Sequence, residues 1–228
     1  MDGLGIVCYH KRKEVIALRD IPVFTTQYGV ASLTLNQIPY RKEAYIRIQA
    51  VLDAQQLIDE CVGFCKMAGA ERIFATGHDA LTKYNLHCRV LTMTADYDQS
   101  QTTQTVLKEV NEDTIENWRE IYNEKMQSVA NASYLTAAAA QRLLEYSYFA
   151  YRHDTLIGIC AGRDGRIDVI AGVVKGAGRD IVIALCEKMQ ANKVTCEVAS
   201  TNTAAMKLYE RLGFAANDDG VAWYRVRY

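Results

Sequence analysis

Residues 202–214 read Asn202-Thr-Ala-Ala205-Met-Lys-Leu208-Tyr209-Glu-Arg-Leu212-Gly213-Phe214. Their apolar side chains recur at i, i+3, i+4 and i+7, which is the spacing of one face of an α-helix. A side-chain oxygen of Thr201 or Asn202 can cap the N-terminus of this helix, and Gly213 can adopt the left-handed conformation that ends it. The residues alone therefore predict a capped amphipathic helix on which Tyr209 is a half-buried packing residue.

The order of residues in this stretch, N-x-x-A-x-x-L-Y-x-x-L-G-F, closely resembles a motif near the C-terminus of the GCN5-related N-acetyltransferases, the GNAT superfamily. In that family the matching tyrosine lies by the thioester sulfur of acetyl-CoA. The resemblance implies that acetyl-CoA is the co-substrate and that Tyr209 is the acid that protonates the departing thiolate. A tyrosine of pKa ~10 can donate to a thiolate whose conjugate acid has a pKa of ~8.5.

The composition narrows the class of protein. The chain has 228 residues, of which 50% are hydrophobic, and this length allows one large domain or two small ones. Lys and Arg number 26 against 27 Asp and Glu, with no basic block, which argues against a nucleic-acid partner. The charged residues Lys11-Arg-Lys13 follow a very short apolar run, which is the wrong order for a signal peptide. No apolar run approaches the ~20 residues of a membrane span, so we expect a cytoplasmic protein without a membrane partner.

The seven cysteines are an odd number. Several follow aliphatic residues, as Cys8, Cys160 and Cys186 do. Reduced core thiols fit this setting better than disulfides. A further group in the first half consists of Cys61, Cys65, His78, His87 and Cys88. Because this group lacks a recognised zinc spacing, we predict no metal, and a cysteine–histidine enzyme or metal protein is the third functional interpretation.

A polar stretch from Asp96 to Thr105 has no apolar period and predicts a linker. We therefore expect an N-terminal α/β domain at 1–98, a linker at 99–105 and a second domain at 106–228. In the second domain the pattern predicts the order β-α-α-β-β-β-α-β-α-β, with a closing strand at 223–226. This order is the one found in the GNAT superfamily, so the resemblance covers about residues 105–228.

The predicted fold class is α/β (α+β). The resemblance implies the GNAT acyl-CoA N-acyltransferase fold, a mixed central sheet with helices on both faces, preceded by a smaller α/β domain. That smaller domain is predicted to contain strands at 30–36, 44–51 and 71–76 and a helix at 54–67. Its β-α-β order is similar to that of residues 167–199. Two interpretations are open, a degenerate second copy of the fold or a coincidental small unit, because β-α-β is common.

The segment that follows the strand at 167–174 carries the cofactor prediction. Lys175-Gly176-Ala177-Gly178-Arg179-Asp180 opens a helix, and the unpaired N–H groups at a helix start favour an anion. The two glycines let a pyrophosphate approach the backbone, and Lys175 and Arg179 can add charge-assisted contacts. The resemblance implies a cofactor site that consists of Ile170, Ala171, Gly172, Lys175, Gly176, Ala177, Gly178, Arg179, Asp180, Asn202, Ala205 and Tyr209.

This loop departs from the family pattern, Arg/Gln-x-x-Gly-x-Gly/Ala. Val173 occupies the first position, the segment between strand and loop is shorter, and the usual proline is missing. Backbone amides could still bind a pyrophosphate. These departures keep a second interpretation open, in which the chain is a non-catalytic acyl-CoA-binding or interaction module of the same fold.

A narrower resemblance concerns the acceptor. The segments around Ala171-Gly172, Gly176-Ala-Gly178, Asn202–Tyr209 and Trp223 are similar to those of the dTDP-amino-sugar N-acetyltransferases. This resemblance implies that the acceptor is a nucleotide-linked amino sugar. From the main resemblance we expect a small-molecule amine as acceptor. Whether the protein is a homodimer is open.

Acetyl transfer to an amine needs a group that takes a proton from the amine. Glu197 is the candidate base, because it lies within the otherwise apolar strand Val194-Thr-Cys-Glu-Val-Ala199, where an unpaired acid is costly unless it faces a cleft. The run from Glu197 to Asn202 is also similar to that of the ribosomal-protein N-terminal acetyltransferases, which keeps a protein N-terminus open as acceptor. Asp168 and Glu145 are the alternative bases. In the family an N–H group of the third strand binds the acetyl carbonyl, which implies a position within 170–172.

Overall fold

The computed structural model describes residues 23–97 and 100–227 of the chain. Its strands are β1 Val23–Thr26, β2 Gly29–Thr34, β3 Glu43–Val51, β4 Arg72–Thr76, β5 Asn85–Asp96, β6 Val106–Glu109, β7 Ser147–Arg152, β8 Thr155–Arg163, β9 Arg166–Gly172, β10 Lys193–Ala199, β11 Ala215–Ala216 and β12 Val221–Arg227. Its α-helices are α1 Ile38–Arg41, α2 Ala54–Met67, α3 Ile115–Met126, α4 Ala137–Gln141, α5 Gly178–Met189 and α6 Thr203–Arg211. Two 3₁₀ helices cover Asp79–Lys83 and Leu144–Tyr146. No α-helix in the described ranges is both long enough and apolar enough to cross a bilayer.

The chain forms two compact units. The first contains residues up to Arg89 together with the segment from Val221 onwards, and the second is Val90–Gly220. This division differs from the predicted one, because β5 continues through Arg89 to Asp96 as one uninterrupted strand. The closing strand predicted at 223–226 exists as β12, but it belongs to the first unit, where it pairs antiparallel with β4.

The first unit is built on strands in the order β1-β2-β3-β4-β12. β1, β2 and β3 pair antiparallel, whereas β3 and β4 are parallel and are connected through α2. Helix α2 begins at Asp53, whose carboxylate accepts a hydrogen bond of 3.1 Å from the Gln56 N–H. Its buried face, including Leu57 and Ile58, packs on the apolar side of this sheet.

The second unit has the strand order β5-β10-β9-β8-β7-β6, with β11 also paired to β5. β7, β8 and β9 form two successive antiparallel hairpins, and the crossover through α5 brings β10 parallel to β9. The first of these hairpins turns at His153 and Asp154, which have positive φ values of 46° and 62°. β5 then pairs antiparallel with β10 along the whole of that strand, from Lys193–Asp96 to Ala199–Val90.

Helices cover both faces of this second sheet. α5 and α6 pack on one face, in an apolar cluster with residues of β5, β7, β8, β9 and β10 that include Met93, Cys160 and Val198. α3 and α4 pack on the other face above β7, β8 and β9, around Trp118 and Phe149. Trp118 is fully buried and its Nε1–H donates to the Tyr148 carbonyl at 3.2 Å. The mixed sheet with helices on both faces confirms the predicted fold class.

Candidate functional site

Strand β9 contains an irregularity that separates it from β10. Ala161 of β8 pairs with Val169, but the next residue, Gly162, pairs with Ile167. Asp168 is therefore the extra residue of a β-bulge, which reverses the face to which later side chains point. Ile167 packs in the cluster beneath α5, whereas Val169 and Ala171 pack in the cluster beneath α3.

Beyond the bulge, β9 and β10 diverge. Their parallel pairing consists of Thr195–Arg166 and Cys196–Ile167. The next residues along the two strands are Asp168 and Glu197, for which the described residues show no further β9–β10 pairing. The two strands therefore separate immediately after Cys196, and the space between them from Asp168 and Glu197 onwards is called the gap.

Backbone groups of β9 point into this gap. Val173 N–H donates to the Ile157 carbonyl at 2.8 Å. Hydrogen-bonded pairs alternate with non-hydrogen-bonded pairs along an antiparallel ladder. Since Ala171 faces Ile159 and Gly172 faces Gly158, Ala171 bonds to β8, and the N–H groups of Ile170 and Gly172 point away from β8 towards the gap. Within 170–172, this alternation leaves Ile170 and Gly172 as the residues whose N–H groups do not bond to β8.

The helix after the gap begins without a side-chain cap. Ala177 occupies the N-cap position of α5, and its side chain is buried in the core. Its N–H bonds to the Val174 carbonyl at 3.2 Å, and the first intrahelical bond runs from Ile181 N–H to the Ala177 carbonyl. The N–H groups of Gly178, Arg179 and Asp180 therefore precede the first intrahelical donor, Ile181, and have no acceptor within the helix, as at any helix start.

The two loop glycines serve different purposes. Gly176 has a φ of +85°, a conformation that glycine adopts without strain, and a Cβ placed there would meet nothing within 4 Å. At Gly178 a Cβ would lie 2.8 Å from Leu208 Cδ2. Gly178 therefore also allows α5 and α6 to approach each other closely, and the predicted contact of both glycines with an anion stays a prediction.

Charged side chains surround this helix start. Lys175 and Arg179 are both exposed. Asp180 in the first turn forms ion pairs with Arg152 of β7 and, at 3.6 Å, with Arg179. Arg152 partly neutralises a carboxylate that would otherwise repel an anion at this position. Sequence reasoning missed Arg152, since nothing in the local pattern of β7 indicates a contact with α5.

Helix α6 has the capping predicted from its sequence. The Asn202 carboxamide oxygen accepts from Ala205 N–H at 3.2 Å. At the other end Gly213 has a φ of +85°, and Phe214 N–H bonds back to the Tyr209 carbonyl at 3.0 Å. The Asn202 side chain thus has a capping role, and its predicted contact with acyl-CoA stays a prediction, as does that of the half-buried Ala205 beside it.

Tyr209 lies in the core beneath α6. It is 6% exposed and its ring packs 5.2 Å from that of Phe214. Its hydroxyl donates a hydrogen bond to the Cys196 thiol, and burial, followed by the neighbouring thiols Cys196 and Cys186, raises its pKa well above 10. Because Cys196 is the last β10 residue paired with β9, the Tyr209 hydroxyl lies at the point where the gap begins.

Glu197 lies on the opposite face of β10 from Cys196, because successive side chains of a strand alternate. It is half-buried, and its cross-strand neighbour is Thr92 of β5. Glu197 and the Cys196 thiol that Tyr209 contacts are adjacent in β10, at the start of the gap. The two candidate catalytic side chains therefore lie on opposite faces of the sheet.

The two alternative bases have other surroundings. Asp168, the bulge residue, accepts a hydrogen bond of 2.8 Å from Arg166 Nε and forms an ion pair with it. Glu145 is exposed in the 3₁₀ helix Leu144–Tyr146 that leads into β7. Glu197 is therefore better placed than Asp168 to take a proton, because the Asp168 carboxylate is already paired.

The thiols of the described residues are buried in the cores of the two units. Burial raises the pKa of Cys61 and Cys88 to about 11 and that of Cys65, Cys186 and Cys196 to about 12. His78 Nδ1 accepts from Ala80 N–H, and His87 stacks on Phe74. Within residues 23–97 and 100–227, no three His, Cys, Asp or Glu side chains are grouped so that they could hold a metal ion. Cys8 lies outside the described residues.

Comparison with known proteins agrees with this geometry. Residues 107–214 match the acetyltransferase (GNAT) family. That segment is therefore similar to the GNAT family. The match begins in β6 and ends at Phe214, so it contains the bulge, the gap, the open start of α5 and Tyr209, and leaves β5 outside. Acyl transfer from acetyl-CoA is the general activity of this family. None of the curated proteins matches the chain.

Solved structures share the fold at low sequence identity. A functionally unknown conserved protein from Staphylococcus epidermidis has a TM-score of 0.57 at 11% identity, over 92% of this chain and 94% of its own. A GCN5-related N-acetyltransferase from Sphaerobacter thermophilus has a TM-score of 0.52 at 14% identity, over 87% and 77%. A tandem GNAT protein from the clavulanic acid biosynthesis pathway has a TM-score of 0.51 at 14% identity, over 86% and 78%. At these identities the likeness concerns the fold.

Proposed function

We propose that this protein transfers the acetyl group of acetyl-CoA to the primary amine of a small molecule by direct attack on the thioester. The observation that carries the proposal is the gap after the Asp168 bulge. It combines the Ile170 and Gly172 N–H groups, the Glu197 carboxylate and the uncapped start of α5 within one unit. Hydrogen-bond donors at one edge and a carboxylate at the other suit a reaction that develops negative charge on a carbonyl oxygen.

The proposed binding of acetyl-CoA follows from the donors at the end of β9. The pyrophosphate would accept hydrogen bonds from the N–H groups of Gly178, Arg179 and Asp180, where the helix dipole favours negative charge. Lys175 and Arg179 would add charge-assisted contacts. The apolar part of the pantetheine arm has neighbours in Val173 and Val174, which are 41% and 44% exposed.

The proposed reaction is an addition followed by an elimination. The neutral amine attacks the thioester carbon, forming a C–N bond while the carbonyl oxygen gains charge beside the Ile170 and Gly172 N–H groups. Glu197 takes the proton that the attacking nitrogen loses. The C–S bond then breaks as the C=O bond re-forms, and CoA leaves as a thiolate. The thiolate takes a proton from water to give the free thiol, and Glu197 releases its proton to the solvent.

Tyr209 has a narrower role than a simple acid of pKa ~10 would have. Its raised pKa keeps the hydroxyl protonated at neutral pH, so the hydroxyl can donate a hydrogen bond to a thiolate. Full transfer of that proton is uphill, because the thiolate of CoA is the weaker base. The hydroxyl would also have to turn from the Cys196 thiol to the sulfur of CoA. We therefore assign Tyr209 to stabilising the leaving thiolate.

The first experiment measures cofactor binding and turnover separately. Isothermal titration calorimetry with acetyl-CoA and with CoA tests the binding site, and thiol release in the presence of a panel of amines tests the reaction. We expect binding of both ligands and amine-dependent thiol release. Absence of binding would refute the cofactor site, whereas binding without amine-dependent release would refute the transferase activity alone.

The second experiment tests the two catalytic assignments. Glu197→Gln should lower kcat by about a hundredfold, the usual effect of losing a general base, and leave acetyl-CoA affinity unchanged. Tyr209→Phe should lower kcat by about tenfold, the effect of losing one donor to a developing charge. Glu187→Gln, which removes an exposed carboxylate of α5, is the matched control. A wild-type rate in Glu197→Gln would remove that residue from the mechanism.

A second candidate function is a non-catalytic acyl-CoA-binding module. It is favoured by the hydrogen bond that directs the Tyr209 hydroxyl to Cys196. Thiol release distinguishes this candidate from the transferase, since both bind acetyl-CoA.

The acceptor and the role of the first unit are further parts of the proposal. We propose a nucleotide-linked amino sugar as acceptor, with a protein N-terminus as the alternative, in a cytoplasmic protein that can form a homodimer.

We also propose that the first unit is a degenerate GNAT-like half. Its support is the succession β1-β2-β3-α2-β4, which repeats the strand directions of β7-β8-β9-α5-β10, and the similarity to a tandem GNAT protein.

A further inference from the structure

Strand β5 lies before the segment that matches the GNAT family, yet it forms half of the sheet surface beside Glu197. It pairs antiparallel with β10, with Thr92 opposite Glu197 and Thr94 opposite Thr195. Tyr97 N–H donates to the Asn192 carbonyl at 2.8 Å, which makes that pair a hydrogen-bonded one. By alternation, Thr94–Thr195 and Thr92–Glu197 are non-hydrogen-bonded pairs, in which side chains lie closest.

The side chains on this face of β5 and β10 are polar, whereas those on the other face are apolar. Thr92, Thr94, Thr195 and Glu197 are all half-buried. The alternate residues, among them Met93, Ala95 and Cys196, are buried beneath α5 and α6. Alternation along two strands therefore gives a row of hydroxyl groups that ends at the proposed base.

This polar row lies on the same side of the sheet as α3 and α4. These helices cover β7, β8 and β9, whereas the row lies on the neighbouring strands β5 and β10. The apolar cluster beneath these two helices is formed with residues of β7, β8 and β9. A further polar side chain extends the row. Asn217, which follows β11, donates from Nδ2 to Thr94 Oγ1 at 2.9 Å, and its N–H donates to the Thr92 carbonyl at 2.9 Å.

We propose that the face formed by Thr92, Thr94, Thr195 and Asn217 is the acceptor-binding surface, and that it takes a hydroxyl-bearing amine. The proposal rests on the proposed function, because it uses Glu197 as the base. A hydroxyl group both donates and accepts, so an acceptor with several hydroxyls can satisfy the threonine hydroxyls and the Asn217 carboxamide together. An apolar amine would displace water from these groups without replacing its hydrogen bonds, which disfavours binding.

The test compares two ring amines, glucosamine and cyclohexylamine, in the wild type and in Thr94→Val. Valine keeps the shape of threonine and removes the hydroxyl. We expect the wild type to acetylate glucosamine. We expect Thr94→Val to lower the ratio of kcat/KM for glucosamine to that for cyclohexylamine by about tenfold, the usual worth of one hydrogen bond. The loss should appear in the KM for glucosamine, with acetyl-CoA affinity unchanged. The different basicity of the two amines cancels in this comparison.

Three further variants serve as controls for this test. Thr94→Ser keeps the hydroxyl and should retain the wild-type ratio. Asn217→Ala changes an exposed residue after β11 and should lower the ratio in the same direction if Thr94→Val fails to fold. Thr25→Val, the same substitution at an exposed position of β1, should leave the ratio unchanged.

The outcomes separate this inference from the proposed function. An unchanged ratio in Thr94→Val and Asn217→Ala would overturn the surface assignment while leaving the transferase intact. Acetylation of neither amine by protein that binds acetyl-CoA would also overturn it. Failure of the wild type to bind acetyl-CoA would refute the proposed function itself, and the inference with it.

Discussion

The crossover connections β3–α2–β4 and β9–α5–β10 have the same strand directions, but they differ at the start of the helix and in the pairing of their strands. Each follows an antiparallel hairpin, places one helix on one face of its sheet and returns to a parallel strand. In the first, the chain passes from β3 into α2 through Leu52 and Asp53, and the Asp53 carboxylate caps the helix. In the second, five residues separate β9 from α5 and Ala177 offers no side-chain cap.

The pairing of the parallel strands also differs. β3 and β4 remain paired from Glu43–Arg72 to Arg47–Thr76. β9 and β10 separate after Cys196–Ile167, because the Asp168 bulge ends the regular pleat. A crossover alone therefore leaves neither separated strands nor an uncapped helix start. A bulge that opens the strands and a helix start left without a carboxylate cap are the additional features, and the second unit has both.

The largest expected effect comes from reversing charge at the open helix start. Lys175→Glu combined with Arg179→Glu should weaken acetyl-CoA binding by about 3 kcal/mol or more, since two charge-assisted contacts are lost and repulsion replaces them. Titration calorimetry measures the Kd. Lys66→Glu with Lys83→Glu changes the net charge equally in the first unit and should have little effect. Equal Kd values for the two double variants would contradict the assignment of the α5 start.

At alkaline pH, the buried thiols of the two crossover helices should lower the free energy of unfolding by similar amounts. Cys61 and Cys65 of α2 and Cys186 of α5 have pKa values raised by burial to about 11, 12 and 12, from 9.0. Above pH 9 the unfolded chain loses these protons while the folded chain keeps them. The free energy of unfolding should therefore fall as pH rises, by up to about 1.4 kcal/mol per pH unit for each thiol.

Urea denaturation between pH 8 and 10.5 measures this slope. Cys65→Ala and Cys186→Ala should each make it shallower by a similar amount. A slope unaffected by either substitution would show that these thiols are not protected from ionisation in the folded state.

The smallest expected effect distinguishes a cap from a ligand contact. Asp53→Ala should lower the free energy of unfolding by about 1 kcal/mol through the lost cap and leave acetyl-CoA affinity unchanged. Asn202→Ala should cause a similar loss of stability, and a weaker acetyl-CoA affinity in addition if the carboxamide also contacts the pantetheine arm. Chemical denaturation and calorimetry on the same samples separate the two effects. A reduced affinity in Asp53→Ala would contradict the contrast between the two helix starts.

Local signals in the sequence were sufficient for much of the second unit. Helix α6 was predicted from its cap, its apolar face and Gly213, and the structure agrees at each of these points. The β-α-β order of residues 167–199 was predicted from periodicity, and the structure has it as the crossover β9–α5–β10. Such signals act between residues a few positions apart, so a single sequence displays them.

Other features depend on contacts between distant residues. β5 gave no strand prediction although it is the longest strand described, and the pairing of β12 with β4 was not predicted. Neither segment alone encodes the strand with which it pairs. The ion pair of Arg152 with Asp180 and the contact of Gly178 with Leu208 likewise join separate elements.

By itself, the sequence determined the helices and turns, the reduced state expected of buried thiols and the resemblance that pointed to acetyl-CoA, because periodicity, capping and motif spacing are local. Tertiary structure decided where β9 leaves β10, which N–H groups point into the gap, that the Tyr209 hydroxyl bonds to Cys196 and that Thr92 stands opposite Glu197. These depend on the register between strands and on burial, which a chain acquires only when its distant segments pack together.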